Sequence, residues 1–196
     1  MRLTVVGGGS TYTPELVDGV LRRHDRLPVS EIVLVDPDAP RREVVGRFAQ
    51  RMVQDAGIPI SVSWTDDLAA AVRGASFVVS QVRIGGQAAR HRDELLGREF
   101  GLIGQETVGV GGFAKALRTI PVALNIARTI ESESPGAILL NFTNPAGLIT
   151  EALLRHAPSV TTIGLCNVPW NVRTEVRSEE HTSELQSRVD ISYAVF

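Results

Sequence analysis

Six short apolar runs recur along the chain, at residues 3–6, 31–35, 60–62, 77–81, 137–141 and 161–165. They are rich in Val, Ile and Leu and nearly continuous rather than alternating, as expected of strands covered on both faces. Between them the apolar positions change to helical spacing, near residues 14–23, 41–56, 67–72, 113–131 and 146–156. In the fourth of these segments Phe113, Leu117, Ile120, Leu124 and Ala127 recur at steps of four and three, which predicts one core-facing stripe. Pro121 lies inside it and predicts a kink or a break between two helices. Strands alternating with helices imply an α/β fold: a Rossmann-like, doubly wound parallel sheet of about six strands with helices on both faces.

The first strand runs into G-G-G-S-T-Y-T, residues 7–13. A turn of this kind can cradle a pyrophosphate: Gly7 takes the tight turn, Gly9 lets backbone approach an anion, and the next helix offers unpaired N–H groups. Gly8, Ser10 and Thr11 complete the candidate cofactor-binding stretch. The G-x-G-x-x-G fingerprint is incomplete, because Tyr12 stands where its third glycine belongs. Pro14 suits a first helical turn, with Thr13 as N-cap. Asp36 follows the second strand, where a dinucleotide fold places the acid that binds the adenosine ribose. A carboxylate there favours NAD over NADP; Arg41 and Arg42 soften the preference. The competing expectation is that Asp36-Pro37-Asp38 only forms a turn and caps the next helix.

Composition narrows the class. At 196 residues, 43% hydrophobic and 21% charged, the chain has room for one well-buried domain of ordinary soluble type. Its 20 basic and 22 acidic residues form no basic stripe, so nucleic acid is not an expected partner. No apolar run is long enough to span a bilayer and no leader-like segment opens the chain, so no membrane partner and a cytoplasmic location are expected. Residues 177–196 (R-S-E-E-H-T-S-E-L-Q-S-R-V-D-I-S-Y-A-V-F) share neither this periodicity nor this turn logic. They resemble the conceptual translation of a short-read sequencing adapter and are set aside as a non-native tail, leaving 1–176 as the expected NAD-binding domain. The tail carries Arg177 and Arg188 against Glu179, Glu180, Glu184 and Asp190, so the rest has 18 basic and 18 acidic residues.

Strand-end loops carry the remaining chemistry, since in such folds they face the ligand crevice. After the fourth strand, V-R-I-G-G-Q-A-A-R-H-R-D-E (82–94) offers Arg83, Arg90 and Arg92 to an anionic group, unless Asp93 and Glu94 pair with them on a helix face. Residues 101–113 hold five glycines and predict an irregular loop containing Glu106. N-F-T-N-P (141–145) places two amides and a hydroxyl at a strand terminus, suited to sugar hydroxyls or a carboxamide, or to turn chemistry alone. Cys166, the single cysteine, is a candidate soft metal ligand or a small hydrophobe.

Together, G-G-G-S-T (7–11), R-I-G-G (83–86), I-G-Q-E-T-V-G-V-G-G-F-A-K-A-L-R-T-I-P (103–121), N-F-T-N-P (141–145) and G-L-C-N-V-P (164–169) resemble glycoside hydrolase family 4, the NAD-dependent glycosidases. The resemblance covers residues 1–176 and implies Arg83 among the cofactor contacts, Arg90 and Asn144 as substrate-binding residues, and Cys166 as thiolate ligand of a divalent metal, usually manganese. It implies that Glu106 raises the basicity of a catalytic tyrosine. At Asn167 the α-glucoside-cleaving branch has a proton-donating aspartate; an amide there points to the phospho-β-glucosidase branch and puts protonation of the leaving group in question. The implied reaction oxidises sugar C3 with NAD, removes the acidified C2 proton, eliminates the aglycone, adds water and returns the hydride. A small-molecule sugar or 6-phosphosugar glycoside is the implied substrate, and the full-length protein is expected to be a homo-oligomer.

Family members are more than twice this long, so a carboxy-terminal substrate and dimerisation domain is expected to be missing. The family's metal-binding histidine and base tyrosine would lie beyond Val176; His24, His91 and His156 do not match that motif. The chain as written is therefore expected to hydrolyse nothing. Two other readings are a lactate/malate-type NAD-dependent dehydrogenase and a non-catalytic NAD-binding module.

Overall fold

The computed structural model describes residues 1–179. The chain forms β1 (Arg2–Val6), α1 (Thr13–Leu21), β2 (Glu31–Val35), α2 (Ala39–Ala56), β3 (Ser61–Thr65), α3 (Leu68–Val72), β4 (Phe77–Ser80), α4 (Gly86–Glu99), α5 (Gly109–Glu133), β5 (Ile138–Asn141), α6 (Ala146–His156), β6 (Thr162–Gly164) and α7 (Val168–Glu179). The first twelve fall in one compact unit, Met1–Gly164; α7 belongs to a second unit, Leu165–Phe196.

All six strands pair in parallel in the order β3-β2-β1-β4-β5-β6. Successive side chains on a strand face opposite sides, and the core divides accordingly. Leu3 and Val5 pack with Ile32, Leu34 and Val79 against Val17 and Val20 of α1 and Ala49 and Val53 of α2. Val6, Val78 and Leu139 pack on the other face against Ala123, Ile126 and Ile130 of α5 and Ile149 and Leu153 of α6. This is the expected doubly wound Rossmann-like sheet. The one buried hydroxyl in mid-β1 is satisfied: Thr4 donates to the Ala71 carbonyl at 2.7 Å. Among the described residues no helix is long and apolar enough to cross a membrane.

Several local expectations are corrected. The third strand is Ser61–Thr65, not 60–62, because this edge strand alternates exposed serines with Val62 and Trp64 instead of running apolar throughout. α4 was not among the helices the spacing predicts, although the alternative reading of a helix face holds for the Arg90–Glu94 pair; its buried positions Ala89, Asp93 and Gly97 recur every four residues yet give no apolar signal. α5 begins at Gly109, inside the stretch expected to be irregular up to Phe113, and runs unbroken past Pro121. Proline frees the carbonyl four residues earlier, and Leu117 is exposed, so water can satisfy it.

The apolar stripe on α5 also moves. Phe113 and Leu117 are each 60% exposed, Ile120 and Leu124 pack partly against the core, and Ala127 is buried. The buried face instead runs through Gly112, Ala116, Thr119, Ala123 and Ile126, with small residues where α4 and the preceding loop lie close. α7 was not expected either; it continues into the first residues of the segment set aside as a tail, and residues 180–196 lie outside the described ones.

Candidate functional site

The carboxyl ends of β1, β2, β4 and β5 are adjacent in the sheet, and their loops build the site. The glycine turn after β1 is closed by its own chain. Gly7 and Gly8 donate to the Val35 carbonyl at 2.9 and 2.8 Å, and Gly9 donates to Asp36 Oδ2 at 2.9 Å. Gly7 holds φ +87°, and a Cβ on Gly8 would lie 2.6 Å from Leu34 Cβ, one on Gly9 2.8 Å from Asp36 Oδ2. The glycines therefore serve the approach of β2 and of Asp36. Their N–H groups are spent internally, and those of Thr11 and Glu15 at the start of α1 have no acceptor among the described residues.

Thr13 is the first residue of α1, not its N-cap: Tyr12 holds that position, and the buried Thr13 hydroxyl donates to the Gly8 carbonyl at 2.9 Å. The Gln81 amide ties β4 to this turn by donating to Gly7 O at 3.2 Å and Thr13 Oγ1 at 2.8 Å. At the end of β2, Asp36-Pro37-Asp38 forms the expected turn and cap. Asp38 caps α2 by accepting from Arg41 N at 3.1 Å. Asp36 takes Gly9 N–H on one oxygen and Asp38 N–H, at 3.0 Å, on the other. Arg41 donates to the Gly9 carbonyl at 3.2 Å and Arg42 to that of Asp36, so both arginines are engaged with backbone beside the acid.

In the loop after β5 the amides divide. Buried Asn141 holds the loop itself, donating to Thr150 Oγ1 at 3.0 Å and accepting from Thr143 N at 3.2 Å. Thr143 in turn meets Ser80 Oγ at 3.0 Å and accepts from Val82 N at 3.0 Å, joining the β4 and β5 loops. The Asn144 side chain, half-buried, makes no hydrogen bond among the described residues. Tyr12 stands edge-on to Phe142, with ring centroids 6.2 Å apart.

Glu106 sits among cations. Arg83 and Lys115 both donate to its Oε1, and Arg90 Nε stands 3.2 Å from its Oε2. Arg90 also holds Glu94 at 2.8 Å, one turn away on α4. Burial alone would raise the Glu106 carboxyl, but the bonds and charges of Lys115 and then Arg83 outweigh it and hold it below the ordinary value of 4.5. The Lys115 ammonium is pushed below the ordinary lysine value because its burial exceeds the support it draws from Glu106. Beside this cluster Arg118 grips Asp93 with two bonds of 3.1 and 2.6 Å and donates to the Ile84 carbonyl at 3.0 Å, fixing the R-I-G-G turn to α4 and α5. Of the sequence candidates, Arg83, Arg90 and Glu106 are thus brought together, whereas Arg92 is exposed without an ion pair among the described residues.

In the second unit Cys166 is exposed, with its Sγ 4.0 Å from Asn167 Oδ1. Among the described residues no group of three or more His, Cys, Asp or Glu side chains is placed to hold a metal ion.

Sequence reasoning missed Lys115, Arg118 and Gln81. The first two lie on α5 at polar positions three residues apart, a spacing that places them on neighbouring turns once the helix is known to begin before residue 113.

The fold and this site define a Rossmann-type, doubly wound domain that carries a half-buried acid held among cations. Residues 2–181 match the Family 4 glycosyl hydrolase family, and the chain belongs to it. A Bacillus subtilis protein described as a probable 6-phospho-beta-glucosidase is 49% identical over 90% of this chain and 40% of its own length. The Thermotoga maritima 6-phospho-beta glucosidase, solved with manganese, NAD+ and glucose-6-phosphate, superposes with TM-score 0.85 at 41% identity over 93% of this chain and 44% of that one. A 6-phospho-alpha-glucosidase from gut microorganisms, solved with NAD and Mn2+, gives 0.82 at 35% identity over 87% and 39%. The chain thus spans about 40% of the length of the curated relatives it matches. Malate dehydrogenase from Salinibacter ruber shares the fold alone, at TM-score 0.56 and 15% identity.

Proposed function

We propose that this chain is part of an NAD-dependent glycosidase that cleaves the O-glycosidic bond of 6-phospho-β-glucosides. The observation that carries the reading is Glu106 and its arginines beside a nucleotide-type turn, inside a family match that spans nearly the whole chain. The β branch is favoured by Asn167, whose amide cannot supply a proton to a leaving group, and by higher identity to the β-glucosidase relatives than to the α.

NAD fits the turn after β1. The unpaired N–H groups of Thr11 and Glu15 suit a pyrophosphate at the start of α1, and Asp36 retains acceptor capacity for ribose hydroxyls beyond its two backbone bonds. Bound there, NAD would supply the hydride chemistry at sugar C3. Arg90 and Asn144 would hold the sugar, the cationic Arg90 suiting an anionic 6-phosphosugar. Glu106 is kept ionised and serves as an acceptor and an organiser of charge, not as a proton donor. Cys166 would give a divalent metal such as manganese one soft ligand. The described residues offer no further set, so no step is assigned to the metal.

The domain reading remains 1–176 as nucleotide-binding, with 177–196 foreign to it and a carboxy-terminal part needed for turnover. The whole enzyme would be a cytoplasmic homo-oligomer. Calorimetric titration of the 196-residue chain with NAD should show one binding site and no glycoside turnover. A chain that is folded by circular dichroism yet binds no NAD would contradict this reading.

A further inference from the structure

Lys115 is only 3% exposed, carries a charge, and has one counter-charge within bonding distance among the described residues, Glu106, whose side chain is 15% exposed. The loop that presents Glu106 is fixed on both flanks to the helix that carries Lys115. A Cβ on Gly111 would overlap the carbonyls of Gln105 and Asp93, and one on Gly112 that of Thr107. Gly111, Gly112 and Lys115 fall at steps of one and three on α5, so backbone contact and ion pair act on Glu106 from the same helix face. We propose that Lys115 is a positioning residue of this site: its buried ammonium fixes the Glu106 carboxylate as the anchor onto which Arg83 and Arg90 are drawn.

The cluster has three cations, Arg83, Arg90 and Lys115, against two acids, Glu106 and Glu94. The adjacent Arg118–Asp93 pair is neutral as a unit. One positive charge remains in excess, on the side where the two arginines are partly open to solvent, so the cradle favours an anionic sugar over a neutral one. Lys115 is itself paired with Glu106, so the excess lies on the arginines. Because Arg83 and Arg90 are more exposed and hence more screened than Lys115, the lysine is the stronger control on Glu106.

The inference rests on the proposed site but is tested without nucleotide. Carbon-13 titration of the Glu106 side-chain carboxyl in the full chain should place it below 4.5 in the wild type. K115M, which keeps the apolar stem and removes only the charge, should move the midpoint upward by more than R83M does, and K115R should leave it low. An unmoved midpoint in K115M, or a larger move in R83M, overturns the proposal. If K115M does not fold, E106Q and E106Q/K115M decide: the double variant should regain most of the melting temperature lost in E106Q, and failure to do so overturns the proposal equally. NAD titration of the same wild-type sample reports separately on the cofactor reading, so the two can fail independently.

Discussion

Two carboxylates organise this domain by different means. Asp36, at the end of β2, is held by the backbone N–H groups of Gly9 and Asp38, donors that the fold provides wherever the turn is formed. Glu106, after α4, is held by the side chains of Lys115, Arg83 and Arg90, each of which can be lost to a single substitution. The Asp36 side is therefore secured by topology and close backbone packing. The Glu106 side is secured by charge, and its behaviour depends on pH and on individual residues.

The contrast breaks most sharply at Glu106. E106Q strands a buried ammonium, and removing one partner of a buried pair costs about 3–5 kcal/mol. Denaturant unfolding should show a loss of that order, largely recovered in E106Q/K115M. On the Asp36 side the largest effect comes from shape: G8A places a methyl 2.6 Å from Leu34 Cβ, and such overpacking costs about 1–3 kcal/mol, readable by the same unfolding experiment. D36N keeps one acceptor oxygen but replaces the other with a donor facing backbone N–H. NAD affinity by calorimetry should fall about tenfold, as for the loss of one charged hydrogen bond. D38A removes the α2 cap and should cost about 1 kcal/mol in thermal unfolding while leaving NAD affinity close to wild type.

The acid limb of stability sharpens the same comparison. The folded-state value of Glu106 lies below its unfolded value, so its contribution is complete above about pH 4.5 and lost as pH falls through the folded value. E106Q should flatten this limb relative to wild type in pH-dependent unfolding. A limb of unchanged steepness would remove Glu106 as its source.

What the sequence disclosed follows the same division. The strands of the sheet interior, the glycine turn and the acid after β2 are written in continuous apolar runs and glycine placement, and five of the six strands lie within a residue or so of where those runs predict them. α4 was not legible because its buried stripe is Ala89, Asp93 and Gly97, an acid and two small residues, so burial left no hydrophobic mark. The start of α5 was hidden for a related reason: Gly111 and Gly112 read as loop residues but serve close contact between a helix and the segment before it. With that helix start displaced, Phe113 and Leu117 were assigned to the core, and Lys115, on the face that is buried, went unnoticed. Resemblance to a family named Glu106, Arg83 and Arg90 individually; their convergence on one carboxylate required the fold.

The proposed role of this domain, in a glycosidase whose NAD is reduced and reoxidised within one cleavage, can be tested on a protein extended to the length of its relatives, supplied with NAD, manganese, a reductant and a chromogenic 6-phospho-β-glucoside in deuterated water. The chromophore should be released without net NADH and with solvent deuterium at sugar C2. Accumulation of NADH in step with substrate consumption, with the glycosidic bond intact, would contradict it.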